Sequence, residues 1–216
     1  MRYSEQLLQS CAGQWQAAVG HRFVRELLAG QVDDRVMAAY LVQDHRFIDA
    51  FLGLLGAAIA SADRFESRLR LGRFTGLISG EENTYFLRAF EALGVDQAGR
   101  DDPPDHPATA GFKALMREAT ATRSYAVALA VLNVAEGLYL DWARQATAPL
   151  PSSFVHAEWI TLHDNPGFAA FVGFLREELD RVGPGEDLRV REFFQRAVAL
   201  ELAFFDAAYE LAGVDA

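Results

Sequence analysis

Residues 37–60, MAAYLVQDHRFIDAFLGLLGAAIA, are apolar on nearly every side and yet contain several charged side chains. In a helix, residues spaced i, i+4, i+7 and i+11 share one face, and here that face carries Tyr40, Asp44, Phe47 and Phe51. A carboxylate buried among aromatic rings is costly in free energy unless another group pairs with it. We therefore expect a partner side chain or a ligand to meet Asp44.

The rest of the chain predicts an all-α fold. Alternating β-branched runs are absent, and the long segments are dominated by Ala, Leu, Glu, Arg and Gln. The third helix should be capped by Asp33 or Asp34 and run to about residue 60. We predict roughly ten helices in one bundle, the others being at residues 3–19, 23–28, 63–78, 81–93, 106–120, 123–146, 153–163, 167–181 and 187–211.

The connections between these helices are short. Gly80 should separate two successive helices, and residues 182–186 should form a tight loop. Residues 94–107, GVDQAGRDDPPDHP, are predicted to be a surface loop rather than a domain boundary, because neither half of the chain looks complete alone. We found no internal repeat, so residues 1–216 are expected to form a single domain.

Composition narrows the possible partners. The net charge is −10 and the isoelectric point is about 4.9, whereas nucleic-acid binding needs clustered Lys and Arg. The single cysteine, Cys11, fits a reducing compartment. The N-terminus is too polar for a signal peptide, and apolar runs such as residues 51–60 are about half the length that spans a bilayer. We expect a cytoplasmic protein with neither nucleic-acid nor membrane partners.

Three carboxylates stand out because their helices are otherwise apolar: Asp44, Glu136 and Glu201. Glu136 lies three residues before Tyr139, so these two side chains share a helix face. Any one of the three acids could be a solvated residue on a helix edge. Together they come from three long helices, and inward carboxylates on facing helices are how bundles build sites.

Two reaction classes use such a set of acids. A di-metal site would need Glu-x-x-His pairs, which the sequence lacks, and His21, His106, His156 and His163 lie at helix ends or in loops. We therefore expect no metal and no cofactor. Acid–base hydrolysis in a buried pocket fits better, because burial raises a carboxyl pKa toward neutral pH. A nucleophile is hard to find, since Cys11 has no activating neighbour at helical spacing.

Several segments resemble the TenA/THI-4 family. The resemblance rests on HRFVREL at residues 21–27, YLVQD at 40–44, LY at 138–139, WI at 159–160 and ELAFFDAAY at 201–209. It covers nearly the whole chain. It implies a haem-oxygenase-like helical fold, a relation to the thiaminase II enzymes, and a homo-oligomer, either a dimer or a tetramer.

The resemblance also implies roles for individual residues. Asp44 would bind an aminopyrimidine ring through the exocyclic amine and a ring nitrogen. Glu201 would be the catalytic acid–base and Tyr139 would orient the reacting group. The ring would be held by aromatic side chains from the matching segments, namely Phe47, Tyr40, Phe205 and Trp159.

One position departs from the thiaminase II pattern. The nucleophilic cysteine expected four residues before the central tyrosine is replaced by Ala135, so the covalent route is closed. The chain thus resembles the cysteine-lacking TenA_E-type subgroup, associated with hydrolysis of an aminopyrimidine or its N-formyl derivative to hydroxymethylpyrimidine in thiamin salvage. Either Glu136 or Glu201 would then activate water. A non-catalytic pyrimidine-binding or regulatory protein, and a cofactorless or metal-dependent oxidase, are the alternatives.

Overall fold

The computed structural model describes residues 1–102 and 104–214, and within them the fold contains no β-strand. The long amphipathic segments form helices that pack into one bundle around a single buried core. The helices are α1 Tyr3–Ser10, α2 Ala12–Val19, α3 Arg22–Leu28, α4 Asp34–Ser61, α5 Phe65–Leu77, α6 Asn83–Ala92, α7 Gln97–Asp101, α8 Pro107–Thr122, α9 Tyr125–Ala143, α10 Phe154–His163, α11 Pro166–Val182 and α12 Asp187–Ala212.

Helix starts follow from side chains that accept the first free backbone N–H groups. Asp33 caps α4 by accepting a hydrogen bond from the amide of Arg35, as predicted. Ser124 caps α9 and Asn165 caps α11 in the same way. These caps fix where the longest core helices begin, and therefore which of their faces point inward.

Two predicted boundaries were wrong. The first predicted helix is two helices, because the backbone leaves helical geometry at Cys11, with φ −128° and ψ 24°. Gly80 does not end a helix. Residues Ile78–Glu82 instead form one π-helical turn that joins α5 to α6 without interruption. A π-turn widens the helix by one residue and is often found at functional sites.

Two predicted loops also contain helical structure. The segment predicted as a surface loop includes the short helix α7, whose first turn is capped by Asp96. The segment predicted as a tight loop before α12 is a 3₁₀ turn, Gly183–Glu186. Position 103 of the first segment lies outside the described residues.

Helix α9 is the centre of the bundle, covered by α2, α4, α8, α11 and α12. By length and composition alone it could cross a membrane, but its residues are buried inside this bundle. Every residue of α9 is buried except Ala135 and Asp141. Asp141 lies near the surface, where it accepts hydrogen bonds from Trp15 and Arg176. The exposure of Ala135 has another cause, which is a cavity inside the bundle.

Candidate functional site

An internal cavity of about 60 Å³, here called the inner chamber, lies against the exposed side of Ala135. This volume is less than half of the roughly 150 Å³ of a cavity that binds benzene, so the chamber has no space for a two-ring molecule. The walls come from α4, α8, α9, α10, α12 and the π-turn. They consist of Asp44, Phe47, Ile48, Phe51, Ile78, Glu82, Phe112, Met116, Ala135, Glu136, Tyr139, Trp159, His163 and Glu201.

The structure brings most of the predicted site residues to this one place. Those that line the inner chamber are Asp44, Phe47, Glu136, Tyr139, Trp159 and Glu201. Tyr40 and Phe205 do not line it; both are almost fully buried behind the wall, with their rings stacked 6.2 Å apart. Both lie against Tyr139, and Tyr40 also packs against Trp159, so they support two rings of the chamber wall from behind.

No described side chain donates a hydrogen bond to any of the chamber's four acids, Asp44, Glu82, Glu136 and Glu201, and no Arg or Lys lines the chamber. Burial therefore raises the pKa of each carboxyl. The pKa of Asp44 is raised further by Glu82, and that of Glu201 by Asp44. The pKa of Glu136 is raised by burial first and then by all three other acids. The chamber is therefore prepared for a ligand that carries positive charge or several N–H donors.

Tyr139 brings a protonated phenol to the chamber wall. Its hydroxyl lies 2.6 Å from that of Tyr40, and burial keeps the pKa of both phenols well above the ordinary value, so both hold their protons. Either hydroxyl of this pair can be the donor. A ligand in the chamber can therefore meet the Tyr139 hydroxyl as an acceptor or, when Tyr40 donates to it, as a donor.

His163 was not predicted as a site residue, because it ends a helix and such histidines are usually solvated. The structure instead buries it in the chamber wall, packed against Trp159 at 4.5 Å between ring centroids. Its Nδ1 lies 2.8 Å from the Trp159 carbonyl and must donate to it. Burial lowers the pKa of His163 to about 4, so the ring is neutral at pH 7 and Nε2 is left as an acceptor.

Glu82 is the second residue that the sequence analysis missed. The sequence analysis placed it in the first turn of the helix predicted at residues 81–93, because Gly80 was interpreted as a break. The same stripe argument that identified Asp44 could have found it, since Ile78, Glu82 and Tyr85 share a helix face with Phe86. Ile78, Tyr85 and Phe86 are all buried, and the π-turn carries Glu82 into the chamber wall.

A larger cavity of about 390 Å³, here called the outer cavity, adjoins the inner chamber. Ile78 and Glu82 line both spaces. The other side of the outer cavity is formed by α5 and α11, including Arg73, Phe74 and Phe171. The π-turn therefore borders both the small acidic chamber and the wider outer cavity.

Neither cavity offers an evident metal centre. Within residues 1–102 and 104–214, no group of three or more His, Cys, Asp or Glu side chains is arranged to hold a metal ion. The four acids of the inner chamber instead face it from different helices and from the π-turn. Such an arrangement can meet different edges of one organic ring.

The position of Ala135 can be tested by labelling. Wild-type protein should resist a thiol reagent, because Cys11 is buried, its thiol lies 3.3 Å from the Leu7 carbonyl, and burial raises its pKa. Ala135→Cys should add one reactive thiol that a chamber ligand protects. Intact-mass spectrometry after iodoacetamide treatment would measure the labelling of the wild-type protein and of the Ala135→Cys variant. Ala130→Cys, on the same helix but fully buried, is the control; equal labelling of the two variants would contradict the assigned chamber.

The comparisons with known proteins agree with this architecture. The TENA/THI-4/PQQC family model matches residues 8–211. A TenA homologue from P. horikoshii OT3 superposes with a TM-score of 0.87 at 17% identity, covering 98% of this chain and 100% of that one. A TenA family transcription regulator from Silicibacter sp. TM1040 superposes with a TM-score of 0.83 at 20% identity, covering 94% of this chain and 95% of that one.

The fold extends to a third, more distant structure. A domain of unknown function with a haem-oxygenase-like fold from Shewanella denitrificans OS217 gives a TM-score of 0.69 at 18% identity, covering 95% of this chain and 91% of that one. These likenesses confirm the predicted all-α, haem-oxygenase-like fold. Because the family model spans nearly the entire chain and Ala135 replaces sulfur in the chamber wall, the protein belongs to the TENA/THI-4/PQQC family and is of its cysteine-lacking kind.

Proposed function

We propose that the protein is a thiamin-salvage hydrolase that converts an aminopyrimidine, or its N-formyl derivative, to hydroxymethylpyrimidine. One observation carries the proposal: acids from three separate helices, Asp44, Glu136 and Glu201, line one small chamber that contains aromatic rings and no thiol. In this proposal water is the nucleophile, activated by a carboxylate of the chamber wall in place of the missing thiolate.

The ligand-binding part of the proposal rests on Asp44. Burial raises the pKa of its carboxyl, which has no partner among the described residues. An aminopyrimidine presents an exocyclic amine beside a basic ring nitrogen, so a carboxyl can pair with both at once. Phe47 stands one turn along α4 and packs against Phe204 at 4.7 Å, which holds its ring in the chamber wall.

The catalytic part rests on the two glutamates. When one is ionised and the other protonated, the first can accept a proton from water while the second supplies one. Tyr139, on the same helix as Glu136, orients the reacting part of the substrate through a hydrogen bond to its hydroxyl group. Burial raises the pKa of both glutamates, and further increases come from Glu82, Glu201 and Asp44 for Glu136 and from Asp44 for Glu201, so either glutamate can hold the proton.

An assay with candidate substrates tests the function. Purified protein should release ammonia from the aminopyrimidine, or formate and ammonia from the N-formyl derivative, and should not cleave thiamin by the covalent route. Binding without turnover would favour a pyrimidine-binding or regulatory protein, and oxygen consumption would favour an oxidase. Failure of any pyrimidine to bind would contradict the proposal. The homo-oligomer and the cytoplasmic location stay predictions.

Asp44→Asn should weaken binding of hydroxymethylpyrimidine about 10- to 100-fold, because a charge-assisted pair contributes roughly 1.5–3 kcal/mol. Isothermal titration calorimetry measures the loss directly. Asp49→Asn is a matched control on α4, since its carboxylate is 86% exposed and lies 3.7 Å from Arg117. Equal affinity of the two variants would contradict the assignment of Asp44 to ring binding.

A further inference from the structure

We propose that Glu82 is a catalytic residue of the inner chamber, one that protonates the departing group of the substrate as this group leaves toward the outer cavity. This inference rests on the hydrolase function proposed above and adds a residue that neither the motifs nor the sequence analysis assigned. It starts from position: Glu82 and Ile78 are the residues that line both the inner chamber and the outer cavity.

The π-turn sets Glu82 firmly at this boundary. The next residue, Asn83, accepts a hydrogen bond of 3.1 Å from Nε2 of His45. His45 is in turn the neighbour of Asp44 on α4, and its ring packs against Phe86 on the far side of the turn. The same short link therefore positions Glu82 and Asp44 relative to each other on facing elements.

The size of the two spaces determines which end of a substrate Glu82 meets. The inner chamber measures about 60 Å³, less than the roughly 150 Å³ of a cavity that binds one benzene ring, so a ring held by Asp44 leaves no space there for a further arm. In this proposal the arm points toward the outer cavity of about 390 Å³. Glu82 is the chamber acid that also lines that cavity.

The electrostatic surroundings keep Glu82 able to donate. None of the described side chains pairs with its carboxyl, and burial raises its pKa to about 7. The titratable groups facing it are Asp44 on α4, Glu136 on α9, Glu201 on α12 and the neutral His163 on α10, while Glu81, Arg70 and Arg73 line the outer cavity. Because burial brings the Glu82 pKa to about 7, part of the Glu82 population is protonated at neutral pH.

The chemical step balances with these groups. The water oxygen forms a bond to the exocyclic carbon of the pyrimidine, and its proton passes to Glu136 or Glu201. The carbon–nitrogen bond breaks, its electron pair stays on nitrogen, and Glu82 transfers its proton to that nitrogen. The products from the aminopyrimidine are hydroxymethylpyrimidine and ammonia, with no change in oxidation state.

The test compares two leaving groups in the Glu82→Gln variant. An amine must be protonated as it departs, whereas a pyridinium substituent leaves as neutral pyridine and needs no proton. Glu82→Gln should lower kcat for the aminomethyl substrate about 10²- to 10⁴-fold, change kcat for the pyridinium analogue less than about threefold, and leave KM for both nearly unchanged. Glu91→Gln, an exposed glutamate on α6, is the control and should match wild type with both.

The outcomes separate this inference from the function on which it rests. If wild-type protein hydrolyses neither compound, the proposed hydrolase function fails. If wild type is active but Glu82→Gln keeps full activity on the aminomethyl substrate, or loses both activities equally, Glu82 is not the proton donor. A thermal shift with hydroxymethylpyrimidine shows that the variant is folded and binds, so that a loss of kcat reports on chemistry.

Discussion

Glu201→Gln is expected to lower kcat for aminopyrimidine hydrolysis by about 10²- to 10⁴-fold, the usual contribution of a general acid or base. Glu201 is 2% exposed and its side chain lies in the wall of the inner chamber. Glutamine has nearly the same shape and can still form hydrogen bonds, but it can neither accept nor release the proton. Steady-state kinetics with ammonia detection measures the loss.

The binding of hydroxymethylpyrimidine separates this chemical role from a structural one. Its dissociation constant should change by less than about tenfold in Glu201→Gln, because Asp44 holds the ring. Glu192→Gln on the same helix is the control, since Glu192 is exposed and pairs only with Arg196 at the surface, where such pairs contribute little. Wild-type turnover in Glu201→Gln would show that Glu136 works without it.

Glu82→Gln should raise the stability of the ligand-free protein by about 3 kcal/mol at pH 8 and leave it unchanged at pH 4. The unfolded chain releases the Glu82 proton near pH 4.5, whereas the folded protein holds it until about pH 7. Between these values the folded state binds more protons, so this residue makes stability fall as pH rises. Glutamine removes the effect, at roughly 1.4 kcal/mol for each pKa unit.

Urea denaturation at pH 4, 6 and 8 would follow this change. The difference between wild type and Glu82→Gln should be near zero at pH 4, intermediate at pH 6 and largest at pH 8. Glu91→Gln should show no such trend, because Glu91 is exposed. A difference that is constant across the three pH values would mean that packing, and not the buried acid, determines the effect of the substitution.

The sequence predicted the fold well because the bundle is built from strong local signals. Asp33, for example, has the cap chemistry that starts α4, and the apolar sequence of α9 required a central position. The boundaries that failed are those that depend on tertiary contacts. Gly80 has an intrinsic tendency to end helices, but here the His45–Asn83 hydrogen bond and the buried Ile78 hold the turn within a continuous helix.

The candidate site was predicted in part, and the limit has a physical reason. Periodicity shows which face of a helix points inward. This was enough to predict that Asp44, Glu136 and Glu201 point into the bundle from three helices. It does not show how deep a ring lies, so Phe205 was expected at the chamber surface although it lies behind it. Nor does it show that a helix end such as His163 is covered by neighbouring rings.

The methyl group of Ala135 affects how sensitive the protein is to peroxide. Peroxide silences thiolate-dependent enzymes by converting the catalytic sulfur to sulfenic acid and beyond. Here the chain's one sulfhydryl, that of Cys11, is buried and has a raised pKa, so little thiolate is available to react. Under the hydrolase function proposed above, turnover of the pyrimidine substrate would continue at peroxide concentrations that inactivate thiol enzymes.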